Sequence, residues 1–148
     1  MKLFLAFFVL PFLIHANLWV NNLEQAEQKA QKEHKLIILN FSGSDWCGPC
    51  IRMHKEIFDS ENFRQYANDN LIMVNADFPR MKKNQLPKDQ QKSNDILADK
   101  YNAEGNFPYT LFLDSNGKVI YTWKGFYNKG AESFTEEVKQ LVKNNRSK

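Results

Sequence analysis

Apolar positions recur along this chain in two rhythms. Between Leu23 and Lys35, in "LEQAEQKAQKEHK", the residues Leu23, Ala26 and Ala30 fall at helical spacing among long polar helix formers, which predicts an amphipathic first helix. It runs into "LIILNF", Leu36 to Phe41, an unbroken apolar run with β-branched residues that reads as a strand buried on both faces. Ile51, His54, Ile57 and Phe58 then return at intervals of three and four, predicting a helix from about Cys47 to Phe58. A further helical stretch, "SENFRQYAND", opens on Ser60 as a candidate cap and buries Phe63 and Tyr66. "LIMVNADF", Leu71 to Phe78, is another strand. Residues 79–95 are polar, carry Pro79 and Pro87, and show no apolar period until Ile96 and Leu97. They read as a surface excursion followed by a short helix, "SNDILADKY", ending near Tyr101.

The last third carries "YTLFLD" and "KVIYTWKG", two strands joined through Ser115, Asn116 and Gly117, a tight-turn signal for an antiparallel hairpin. In the closing "AESFTEEVKQLVKN", the residues Phe134, Val138, Leu141 and Val142 make one apolar helical face. With no repeats and no linker, this order implies an α/β three-layer sandwich: a mixed central β-sheet with helices on both faces.

Composition changes little. A chain of 148 residues, 43% hydrophobic and 25% charged with 12 Phe, suits one domain with one core. The formal charge of +3 comes from 20 basic and 17 acidic residues, and the basic ones are scattered apart from the tail "KQLVKNNRSK". A nucleic-acid surface needs basic residues clustered on one face with interleaved aromatics, so no nucleic-acid partner is expected; the tail reads as a fraying, solvated terminus.

The first residues carry more information. "MKLFLAFFVLPFLIHANLW" places Lys2 before an uncharged apolar run from Leu3 to Ile14. That length suits a secretory signal and falls short of the roughly 20 residues that span a bilayer. Residues 1–16 are therefore expected to be a signal peptide cleaved after Ala16, leaving a domain of residues 17–148; an uncleaved membrane anchor is the alternative. Export, to a periplasm or otherwise outside the cytoplasm, would put the cysteines where disulfides form and persist.

Those cysteines number two, Cys47 and Cys50, in "FSGSDWCGPCIRMHKEIF". They could be a staple, half of a metal site or a redox centre. A staple closing two residues removes little chain entropy. A metal site would draw on Cys47, Cys50 and His54, a C-x2-C-x3-H array of zinc- and copper-binding residue types, but a fourth ligand is missing. His54 reads instead as a helix-surface or subsurface residue near the site. Ile51 after Cys50 excludes covalent haem attachment.

Directly after a buried strand and opening a helix, "SDWCGPC" resembles the redox motif of the thioredoxin fold, in its exported bacterial form. "GNFPYTLFLD" resembles the family's Pro-Thr loop leading into the hairpin, and the likeness runs from Leu18 to about Asn144. It implies a thioredoxin-like sandwich and a thiol-disulfide oxidoreductase whose catalytic pair is Cys47 and Cys50. Physical chemistry agrees: the unpaired N–H groups and dipole of a helix N-terminus stabilise a thiolate at Cys47, the nucleophile. Cys50, one turn in and more buried, resolves the mixed disulfide, and Pro49 suits a first turn where its missing N–H would have no partner.

By resemblance, Trp46, Gly48 and Pro49 flank the substrate, and Pro108 is a cis proline that leaves the backbone of Phe107 free to pair with an extended client peptide. Gly48-Pro49 favours reduction of protein disulfides. The implied partners are disulfide-containing proteins and a membrane electron donor; no cofactor and no metal are expected, and the protein is expected to be a monomer. A dithiol oxidase or isomerase is the enzymatic alternative, and a non-catalytic peptide- or metal-binding module the other. The sequence also departs from the family. Asn40 stands where thioredoxins bury an Asp, and Met73 where they carry a Lys, so the proton of Cys50 falls to water, Asp45 or Glu56.

Overall fold

The structure, a computed structural model, describes residues 18–146. The expected signal segment, residues 1–16, lies outside them. Five strands form one mixed sheet in the order β1-β3-β2-β4-β5: β1 Trp19–Val20, β2 Leu36–Ser42, β3 Leu71–Asp77, β4 Tyr109–Leu113 and β5 Val119–Lys124. β3 runs parallel to β1 and β2, while β4 is antiparallel to both β2 and β5. The α/β sandwich expected from the apolar pattern is the fold observed.

Every residue of β2 is buried, as a central strand covered on both faces requires. Its period-two alternation sorts the core into two layers. Leu36 and Ile38 face the layer shared with Met53, Phe58, Phe63, Phe112 and Phe134. Ile37, Leu39 and Phe41 face the other, with Ala26, Ala30, Leu97 and Leu111. The helices follow this division. α1 (Leu23–Glu33) and α4 (Lys88–Tyr101) cover one face; α2 (Gly48–Arg52), α3 (Glu61–Asn70) and α5 (Ala131–Arg146) cover the other. Crossovers between parallel strands are right-handed. The chain passes from β1 out to β2 and back to the intervening β3, so α1 and α3 must fall on opposite faces.

Local chemistry fixes the ends. The Asn22 side chain caps α1 by accepting from Gln25 N at 3.1 Å, and His34, at φ 54°, turns the chain into β2. The hairpin closes at Gly117, φ 79°, with the Asp114 carboxylate accepting from the N–H groups of Asn116 and Lys118. Phe134, fully buried among Phe58, Phe63, Trp123 and Tyr127, anchors α5; burying such a side chain is worth about 2–3 kcal/mol.

Four details depart from the sequence reading. β1 is a two-residue edge strand, too short to show a period. α2 passes directly into a π-helical turn, Met53–Phe58. Ser60 stands at the start of α3, but its hydroxyl donates to the Ile57 carbonyl at 2.7 Å and caps nothing. α4 begins at Lys88, inside the stretch read as excursion, because its inner contacts are made by amides. Buried Asn94 donates to the Asp77 carbonyl and accepts from Gln90, and Gln91 donates to the Leu86 carbonyl.

Candidate functional site

β2 delivers the chain to the site at its C-terminal end. After Ser42 the backbone folds tightly at Gly43, whose carbonyl accepts from Cys47 N at 2.9 Å. Cys47 occupies the N-cap of α2 with extended φ and ψ, and its Sγ accepts from Cys50 N at 3.3 Å. Cys47 and Cys50 are joined in a disulfide with Cα atoms 5.2 Å apart. Cys50 is wholly buried and Cys47 is 5% exposed, whereas Gly48 and Pro49 between them are exposed. The order of burial is the one expected of a nucleophile and the sulfur beneath it.

On one side of the disulfide stands an aromatic wall. The Phe107–Pro108 bond is cis, and Phe107 meets Trp46 edge-to-face at 5.4 Å and Phe78 at 5.6 Å. The Trp46 indole donates to the Phe78 carbonyl at 2.7 Å and carries the Arg80 guanidinium on its face at 3.6 Å. Together they line a cleft of about 470 Å³. The structure thus gathers Trp46, Cys47, Cys50, Phe107 and Pro108 at one end of the sheet, with Gly48 and Pro49 on the surface above.

Asp45 holds this wall in place. Its carboxylate accepts from the backbone N–H groups of Arg80 and Met81 and from the Asn84 amide, at 2.8 to 3.0 Å. The Arg80 N–H foremost, with Asn84 and Met81, keeps its carboxyl below the usual carboxylate range. Asp45 is therefore a tether for the loop after β3. Glu56 lies on an exposed helix face, paired with Arg52 at 2.9 Å. Neither lines the space around Cys50.

What does surround Cys50 is a second cleft, of about 410 Å³, walled by Ser42, Ser44, Ile51, His54, Lys55, Asp59 and Asn75. Beneath it, three neighbouring strands each turn one polar side chain to the same face at the same level. Strand register sets Asn40 opposite both Asn75 and Thr110. Asn40 Oδ1 accepts from Thr110 Oγ1 at 3.0 Å, and Asn40 Nδ2 donates to Asn75 Oδ1 at 3.0 Å and to His54 Nε2 at 3.2 Å. The ring of His54 packs against Trp19 and Phe58, and burial pushes its pKa below the ordinary imidazole range, against the pull of Asp59, Asn75 and Asp77. His54 is thus a half-buried partner of a buried amide: its subsurface place near the site was expected, its partner was not. The available signal was a polar residue at an inward position of each apolar run: Asn40 in "LIILNF", Asn75 in "LIMVNADF" and Thr110 in "YTLFLD". Among the described residues, no group of three or more His, Cys, Asp or Glu could hold a metal ion.

The comparisons with known proteins agree with this architecture. The thioredoxin-like domain family matches residues 23–141. The disulfide bond reductase DsbH of Chlamydia pneumoniae is 37% identical over 128 residues, covering 86% of this chain and 75% of the relative. The thioredoxin-related protein DsbJ of the same organism is 23% identical over 84% of this chain, which spans only 35% of that longer protein. A solved structure of a DsbH oxidoreductase superimposes with a TM-score of 0.74 at 35% identity, over 82% of each chain. A central strand that leads into a Cys-x-x-Cys disulfide, with a cis proline opening the strand paired to it, matched over nearly all the described residues, leaves one assignment: this chain belongs to the thioredoxin-like family.

Proposed function

We propose that this chain is an exported thiol-disulfide oxidoreductase that reduces disulfides in other proteins. Its working region would be residues 17–148, released from a signal peptide at residues 1–16. The observation that carries the reading is the Cys47–Cys50 pair: the outer sulfur at a helix N-terminus, the inner one buried beneath it, and a cis proline alongside.

In the reduced protein Cys47 is the nucleophile. Its Sγ faces the N–H of Cys50 at the start of a helical segment that runs unbroken through Phe58, and those N–H groups favour the thiolate. The thiolate attacks one sulfur of a client disulfide and expels the other as a thiolate. Cys50 then attacks the Cys47 sulfur, expels the second client thiolate and closes the Cys47–Cys50 bond. Two electrons have moved from protein to client, and a membrane donor must return them. Exposed Gly48 and Pro49 keep the approach low, Trp46 and Phe107 flank it, and the backbone at Phe107 before Pro108 pairs with the client as an extended strand. The reducing direction is supported by Gly48-Pro49 and by the 37% identity to a protein named as a disulfide bond reductase.

The test is reduction of the interchain disulfides of insulin by dithiothreitol, together with equilibration of Cys47–Cys50 against glutathione. Wild type should accelerate the reduction, Cys47→Ser should not, and the potential of the pair should lie below about −200 mV. A potential near −120 mV, that of a strong oxidant, would reverse the direction. No acceleration at all would leave a binding module.

A further inference from the structure

Closing the site requires Cys50 to lose a proton. A thiol with no exposed surface is held in its neutral form, since burial disfavours the thiolate. Asp45 is committed to the loop after β3 and Glu56 to Arg52 on the outer helix face. The cleft that contains Cys50 holds three other titratable groups, His54, Lys55 and Asp59. Lysine is ordinarily already protonated near neutrality and a carboxylate is ordinarily too weak a base, which leaves the imidazole.

We infer that His54, held from below by Asn40, receives the proton of the Cys50 thiol as Cys50 resolves the mixed disulfide. This rests on the oxidoreductase reading. Cys50 and His54 line the same cleft of about 410 Å³, and the proton passes between them within it. The balance is simple: the Cys50 S–H bond breaks, its proton ends on His54, the Cys50–Cys47 S–S bond forms, and the client leaves as a thiolate that His54 or solvent can reprotonate. His54 acts on the sulfur across this space, so it is a positioning and proton-handling residue.

The hydrogen-bond network suits a ring that must change its protonation. Asn40 donates to Nε2, which keeps that nitrogen without a proton and leaves the neutral ring's own proton on Nδ1, so Nε2 is the atom that takes up the Cys50 proton as the Asn40 N–H turns away. Burial against Trp19 and Phe58 favours the same neutral form. When the ring takes up a proton, Asn40 can turn its amide and accept instead, because Asn75 and Thr110 can each donate or accept in turn. The groups facing the ring come from every element around it: Lys55 and Asp59 from its own segment, Asn40 and Ser42 from β2, Asn75 and Asp77 from β3, and the uncharged Trp19 from β1. Asp59 and Asp77 stabilise the imidazolium once formed, so the ring can hold the proton through the step.

The experiment is stopped-flow reaction of the reduced protein with 5,5′-dithiobis(2-nitrobenzoate). The first thionitrobenzoate released reports attack by Cys47, and the second reports attack by Cys50 on the mixed disulfide; no protein client is involved. General bases contribute roughly 10²- to 10⁴-fold, and transfer across the cleft should sit near the low end. His54→Gln, which keeps an amide for Asn40 to bond, should slow the second phase about tenfold or more at pH 7. The wild-type second phase should follow the midpoint of His54 measured by NMR. His54→Ala should regain rate with added imidazole, which wild type should not. A second phase in His54→Gln within twofold of wild type and with the same pH dependence would overturn the inference while leaving the function intact. If the first phase is lost from wild type itself, the oxidoreductase reading and this inference fall together.

Discussion

Two glycines five residues apart should respond oppositely to the same methyl group. A Cβ at Gly43 would sit 2.5 Å from Nε1 and 2.6 Å from Cζ2 of the Trp46 indole, whereas one at Gly48 meets nothing within 4 Å. Carbon contacts settle at about 3.5–4.0 Å, so Gly43→Ala must push the indole back by about 1 Å. The indole has little room to retreat: its N–H donates to the Phe78 carbonyl, Arg80 covers one face and Phe107 meets its edge. Overpacking of this kind costs about 1–3 kcal/mol, and losing the indole hydrogen bond adds about 1 kcal/mol. Each kcal/mol should lower the Tm of a chain this size by about 3–5 °C, so Gly43→Ala should melt at least about 6 °C below wild type. Gly48→Ala, at the first helical position, should melt with wild type or slightly above it, since replacing Gly with Ala at a compatible site gains at most about 1 kcal/mol. The assay is thermal denaturation of both oxidised variants, with tryptophan fluorescence to report Trp46. A Gly43→Ala protein within about 0.5 kcal/mol of wild type would mean that the indole packing is loose, and the account of the aromatic wall would be wrong.

Thr110→Val should leave Asn40 Oδ1 buried without a donor and lower stability by about 1–3 kcal/mol in chemical denaturation; an unchanged midpoint would show that Asn40 finds another partner. The folded pKa of Asp45 is depressed, so its tether is fully present above the ordinary value of 3.8 and released only as pH falls through the lower folded value. Hydrogen exchange at the Arg80 and Met81 amides should accordingly stay protected at pH 6 and lose protection below about pH 3.8, and Asp45→Ala should expose Arg80, Lys82 and Lys83 to trypsin at neutral pH. On non-reducing gels of cell extract, Cys50→Ser should accumulate reducible mixed disulfides and Cys47→Ser should not, because Cys50 is the thiol close enough to release the client; bands of equal strength in both variants would contradict the assigned order of attack.

The parts of this fold that announce themselves in sequence are those whose contacts are apolar. β2 is legible because "LIILNF" is buried on both faces, and α5 because Phe134, Val138 and Val142 share one stripe. α4 was legible only over its second half, since its first turns are fastened by Gln90, Gln91 and Asn94, and amide contacts leave no hydrophobic period. The cysteine motif was legible in position and in order of burial because helix geometry and spacing determine both. The role of Asp45 was not: its acceptors lie in the loop after β3, and no local pattern predicts that a carboxylate will be spent on backbone N–H groups 35 residues away. His54 shows the same limit. The sequence put it at or just below the helix surface near the site, but its partner was set by strand register, which one sequence does not reveal.

The departures at Asn40 and Met73 make physical sense as a pair. Both side chains are fully buried on the same face of the sheet, in adjacent strands, where an isolated ionised group would be costly unless a partner of opposite charge came with it. With methionine at position 73, a carboxylate at position 40 would find no buried cation nearby, whereas a neutral amide finds complete hydrogen bonding from Thr110, Asn75 and His54. At the level of Asn40, Asn75 and Thr110 the layer under the disulfide is therefore uncharged. Neutral amides and a hydroxyl cannot tune Cys50 by titrating, so a pH response of the inner sulfur must come from the titratable groups around that level, Asp77 and those of the cleft above it. Of the side chains walling that cleft, His54 is the one whose ordinary range lies beside neutrality, and burial against Trp19 and Phe58 favours its unprotonated form.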